Sequence, residues 1–153
     1  MACMREAIGL NPSVRLTPAQ SSGIDHIASY PFGFLQQRLV EKHSVAEEDA
    51  RQLILEFRRF MVIARLRGAP LAVPNGAVDQ VWHELLLFTK RYRDFCAEAV
   101  GEFVDHVPHT SETPVPEAAI QRFVDSYEQL FGKLSADWFR DAPSPLRWSG
   151  WVK

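Results

Sequence analysis

Apolar residues recur along most of this chain at helical spacing. In "SVAEEDARQLILEFRRFMVIARLRG" the residues Leu53, Ile54, Phe57, Phe60, Met61 and Ala64 follow one another at three- and four-residue steps, the repeat that lines one face of an α-helix. Further apolar positions outside that stripe predict a helix contacted on several sides. Ser44 followed by Glu47 has the form of a capping box. Glu47, Glu48 and Asp49 stand at one end and Arg65 and Arg67 at the other, as the helix macrodipole favours, and Gly68 supplies the stop. The pattern predicts a central helix over Ser44–Gly68.

The same logic places the other elements. Thr17 as N-cap and Pro18 at the first helical position open a helix that Pro31 stops. "FGFLQQRLVEKH" gives a shorter helix with Phe34, Leu35, Leu39 and Val40 on its apolar face. After the Pro- and Gly-punctuated "APLAVPNG", a long helix is expected from Ala77 to Ala99, closed by Gly101. "HVPHTSETPVPE" reads as a loop, Pro114 or Pro116 begins a helix running to Gly132, and Ser135 caps a final turn, "ADWF". Residues 1–12 lack periodicity and are expected to be disordered. Residues 13–140 form the helical domain, and 141–153, with two prolines and two tryptophans, an extended tail. No strand-length alternating run occurs, so the expected fold is all-α: a single compact domain of five to six helices.

Composition narrows the function classes. A chain of 153 residues, 46% hydrophobic and 11% aromatic, is long enough to bury a core. A net charge of −2 leaves no basic surplus to neutralise phosphates, which argues against nucleic acid as a partner. The longest apolar runs, such as Leu85 to Phe88, fall far short of a membrane span. Cys3 and Cys96 are the two cysteines. Their positions, in a terminal segment and deep in a helix, make poor disulfide partners, so a reducing, cytoplasmic compartment is expected.

Chemistry-bearing residues crowd into one stretch, "AVDQVWHELLLFTKRYRDFC". His83-Glu84 begins like a zincin motif, but position 87 is Leu, so the second histidine ligand is missing. Asp79 and His83 stand four apart, on one helical face, and offer an oxygen and a nitrogen to a metal. A further ligand would come from His106 or His109. A straight helix rises about 27 Å from His83 to Gly101, whereas the residues from Gly101 to His106 span at most roughly 17 Å. His109 just reaches, at about 28 Å of extended chain. A site including His106 demands a bend in the helix. Cys96 lies toward a helix C-terminus, between Asp94 and Glu98, where a thiolate is disfavoured, and reads as a small buried hydrophobe. Tyr92 and Cys96 share a face one turn apart. On a straight helix they form a second group, which His106 could join, separate from Asp79, Trp82 and His83. His26 and His43 show no partner pattern and read as surface or packing residues.

With those residues in view, the segment "VDQVWHELLLFTKRYRDFC…GEFVDH" resembles the glycine-rich-domain-containing-protein-like family. Its D-x-x-W-H…Y-x-x-x-C…G…H pattern falls on Asp79, Trp82, His83, Tyr92, Cys96, Gly101 and His106. The later "SYEQLFG…DW" is also similar. Many relatives have W-H-x-H where this chain has Leu85, and the glycine-rich region is absent. The resemblance implies an architecture and a candidate site, not an activity.

Two functions stay open. The favoured one is a small non-catalytic interaction domain. In it Asp79 and His83 are a hydrogen-bonded pair, Trp82 and Tyr92 are core aromatics, and the tail (Pro145 to Trp151) docks on a protein partner, a second copy or its own core. The alternative is a metal-binding protein or metal-dependent enzyme using Asp79, His83 and His109 or His106. That ligand set suits zinc or iron, with Glu84 or Tyr92 as acid or base.

Overall fold

The computed structural model describes residues 4–68, 71–72, 76–107, 112 and 116–134. Among them are seven α-helices and no strand: α1 (Met4–Ala7), α2 (Pro18–Ser29), α3 (Gly33–His43), α4 (Glu47–Arg67), α5 (Gly76–Leu86), α6 (Thr89–Ala99) and α7 (Glu117–Phe131). The protein is an all-α single domain, with more helices than the sequence pattern predicts.

Helix α4 is the axis. Its apolar stripe is buried at Ile54, Phe57, Phe60, Met61 and Ala64, and Val62 and Ile63 are buried on another side. It packs against α2, α3, α5 and α7, so the helix with the broadest apolar surface takes the most neighbours. Burial of each large side chain of this kind is worth roughly 1.5–3 kcal/mol. Helix α6 lies on α2 and α5. The α2–α6 crossing is tight at Gly23, where an added Cβ would stand 2.4 Å from the Ala99 carbonyl oxygen. Only a residue without a side chain lets the two backbones approach so closely.

Three expectations from the sequence change. Ser44 does not cap α4; it ends α3 in a left-handed conformation (φ 54°), with the Val45 N–H bonding back to the Leu39 carbonyl at 3.1 Å. α4 begins after Ala46 with no side-chain cap, and its acidic first turn supports the terminus instead. By contrast, Thr17 caps α2 as its spacing predicts, in a reciprocal box with Gln20. Residues 4–12 are not disordered: Ile8 and Leu10 join the core. Arg59 Nε donates to the Ile8 carbonyl at 2.8 Å, and the Asn11 N–H donates to the Leu130 carbonyl at 2.7 Å. Such a segment is ordered by long-range contacts, which leave no local periodicity.

The third change positions the site. The expected Ala77–Ala99 helix breaks at Leu87 and Phe88 into α5 and α6. There the bonds tighten to three-residue steps, Leu87 N–H to Glu84 O at 3.3 Å and Phe88 N–H to Leu85 O at 2.9 Å. The Phe88 ring packs edge-on against Phe34 at 4.8 Å, and the corner turns Phe95, Cys96 and Ala99 into the core. Ser135 and the 141–153 tail lie outside the described residues.

Candidate metal-binding site

Helix α5 supplies two of the three central side chains by its own geometry. Asp79 and His83 share a face one turn apart, and His83 Nε2 lies 3.1 Å from Asp79 Oδ2. The third arrives from beyond α6. Gly101, at φ 90°, turns the chain out of the helix into an extended stretch. Burial then alternates: Phe103, Asp105 and Val107 are exposed, Val104 and His106 partly buried. That two-residue period aims His106 back at α5, where its Nε2 lies 2.8 Å from Asp79 Oδ1. The sequence geometry requires a bend for His106 to take part, and the corner at Leu87–Phe88 provides it. His109 lies outside the described residues.

One donor atom from each of Asp79, His83 and His106 falls within 4.8 Å of the other two. Each histidine takes a different carboxylate oxygen, and the imidazole centroids stand 4.6 Å apart at 64°. Donors at the corners of a tetrahedron around one ion, with bonds of about 2.1 Å, stand about 3.4 Å apart. The two imidazole–carboxylate distances, 2.8 and 3.1 Å, run to different oxygens of Asp79, so the side chains would have to turn slightly for all three to meet one ion. The His106 side chain is nearly enclosed, and those of Asp79 and His83 are partly open to solvent. The cluster therefore has a closed back and an accessible front.

The back is aromatic. Trp82, buried against Phe60 at 5.2 Å, meets the His106 ring edge-on at 4.5 Å and 78°. Trp82 Nε1 donates to the Tyr92 hydroxyl at 3.0 Å, and that hydroxyl donates to the Val104 carbonyl. A straight helix would hold Tyr92 apart from Trp82; the corner joins them. Burial, with the Cys96 thiol beside it, pushes the Tyr92 phenol far above its ordinary range. Burial likewise pushes the Cys96 thiol up, the environment of a core residue and not of a nucleophile.

Glu84, a candidate acid or base on sequence grounds, faces away from the cluster. It is buried and accepts from Arg38 Nε at 2.6 Å, with His43 Nε2 also 2.6 Å away. Burial alone would raise its pKa, but hydrogen bonds to His43 and Arg38 outweigh it and hold the carboxyl below its ordinary value. His43 thus has a partner that the sequence did not reveal. The only local hint is the 100° turn that separates Glu84 from His83. His26 is a packing residue, against Tyr30 and Phe95.

A family model described as UCP032817-like matches residues 23–122, a span that runs from within α2 into α7 and holds Asp79, His83 and His106. The chain belongs to the UCP032817-like family. No curated protein and no solved structure matches it.

Proposed function

We propose that this protein binds a divalent transition metal, zinc or ferrous iron, through Asp79, His83 and His106. One observation carries the reading: a donor atom from each of two imidazoles and one carboxylate lies within 4.8 Å of the other two. Two histidines and one carboxylate are the donors of many catalytic zinc and non-haem iron sites, which keep positions open for water or substrate. Here the open side is the one that His83 and Asp79 expose. A metal there would act as a Lewis acid and lower the pKa of a bound water. Neither Glu84 nor Tyr92 is free to serve as its acid or base, since each is engaged elsewhere. The likeness to the glycine-rich-domain-containing-protein-like family marks Asp79, His83 and His106 as positions of one candidate site, without implying what that site binds. Cytoplasmic residence belongs to the proposal, supported by the free, buried Cys96.

A second reading, a non-catalytic interaction domain, is supported by the hydrogen bonding within the cluster. Asp79 Oδ1, the Trp82 N–H and the Tyr92 hydroxyl are hydrogen-bonded, and Asp79 Oδ2 has the His83 imidazole at ion-pair distance, as a structural clasp requires. Metal content of untagged protein, measured by mass spectrometry beside His83→Ala and His106→Ala, separates the two. Near-stoichiometric zinc or iron in the parent, lost in both variants, supports the first. A metal-free parent that melts cooperatively overturns it.

A further inference from the structure

His106 is the ligand that the chain has most trouble delivering, since it lies on an extended stretch after α6 while Asp79 and His83 are fixed by α5. One atom ties these parts together. The Tyr92 hydroxyl, on α6, accepts from Trp82 Nε1 at 3.0 Å and donates to the Val104 carbonyl. Trp82 is the residue before His83, and Val104 stands two before His106. The same Trp82 ring forms the edge-on wall against the His106 imidazole, and the Phe103 ring closes on Tyr92 from the other side at 5.2 Å.

We propose that Tyr92 is a positioning residue for the metal site, its hydroxyl holding the Val104–His106 stretch at the distance from α5 that lets His106 reach Asp79. The inference rests on the metal-binding reading of Asp79, His83 and His106. Tyr92 does not touch the ion; it acts through Trp82 and through the backbone carrying His106. Its role is steric and directional, and it needs no change of charge. The side chain is fully buried, at 1% exposure, so the ring itself is held firmly by its packing. Phenylalanine preserves the ring packing and deletes only the bridge.

Cobalt(II) is the probe, because its visible absorption reports the number and geometry of ligands. Tyr92→Phe and, as a second variant that removes the other end of the bridge, Trp82→Phe are titrated with cobalt beside the parent. Hydrogen exchange is followed at the amides of residues 103–107. Outer-shell losses weaken metal binding roughly 10–100-fold, and that is the expected loss for Tyr92→Phe, with an altered cobalt spectrum and faster exchange confined to 103–107. Parent-like affinity and spectrum in a folded Tyr92→Phe overturn the proposal. If Tyr92→Phe does not fold, Trp82→Phe decides by the same criteria. A parent that binds no cobalt overturns the metal reading instead. Exchange at 103–107 then judges the bridge, with unchanged rates in Tyr92→Phe sinking it and faster rates upholding it.

Discussion

Helix α5 carries two carboxylates, each beside histidine, on different faces. Glu84 is buried and paired with Arg38 and His43; Asp79 is partly exposed and paired with His83 and His106. The guanidinium makes the difference. Arg38 supplies a fixed positive charge that meets the Glu84 carboxylate, so that cluster is complete and ties α5 to α3. Among the described residues Asp79 is paired with imidazoles alone, which carry charge only when protonated. Its negative charge is therefore not met by a fixed cation. The same residue types thus make a structural tie in one place and, on the proposed reading, a metal-binding donor set in the other.

Exchanging the charges should break this contrast, and the largest effect is on metal affinity. Asp79→Asn is expected to weaken zinc or cobalt binding by more than the roughly 10–100-fold that outer-shell losses cost, while Glu84→Gln leaves it within a few-fold. Competition with a chromophoric chelator measures both. Next comes the coupling of metal to folding: at a hundred times its Kd, zinc should stabilise the parent by about 2.7 kcal/mol. Urea melts with and without zinc would show that gain in the parent and in Glu84→Gln, but not in Asp79→Asn.

Without metal the ranking should invert. Glu84→Gln removes a buried charged partner of Arg38 and should cost about 1–3 kcal/mol. Asp79→Asn, in a partly exposed pair, should stay within about 1 kcal/mol of the parent. The smallest effect is on pH dependence. A carboxyl whose pKa is lower in the folded than in the unfolded chain contributes stability above the unfolded value, and that is lost as pH falls through the folded one. Glu84 should therefore contribute to the decline of stability below about pH 4.3, and melts of Glu84→Gln should show a shallower decline there.

Much of this organisation is legible in the sequence where the cause is local. The stripe of α4, the Thr17 cap and the one-turn spacing of Asp79 and His83 all depend on neighbours along the chain, and each can be read from it. The corner at Leu87–Phe88 cannot. "ELLLFTK" contains neither proline nor glycine, and Phe88 begins α6 without a side-chain cap, so nothing local distinguishes it from continuous helix. The break arises from Phe88 packing on Phe34 and from the burial of α6 against α2. Ser44 fails for a related reason, since the end of α3 takes the residue that α4's capping pattern would use. Arg38 and His43, more than forty positions from Glu84 in the chain, leave no local sign of their partner.

The two-residue corner also bears on which changes this chain can accept over generations. Leu87 is 65% exposed, so many side chains should serve there equally well. A single inserted residue is another matter, because it rotates everything beyond by about 100° and advances it by about 1.5 Å. Phe95 would leave the core, and Tyr92 would swing away from Trp82. At Leu87 drift is free to change the letter but not the count.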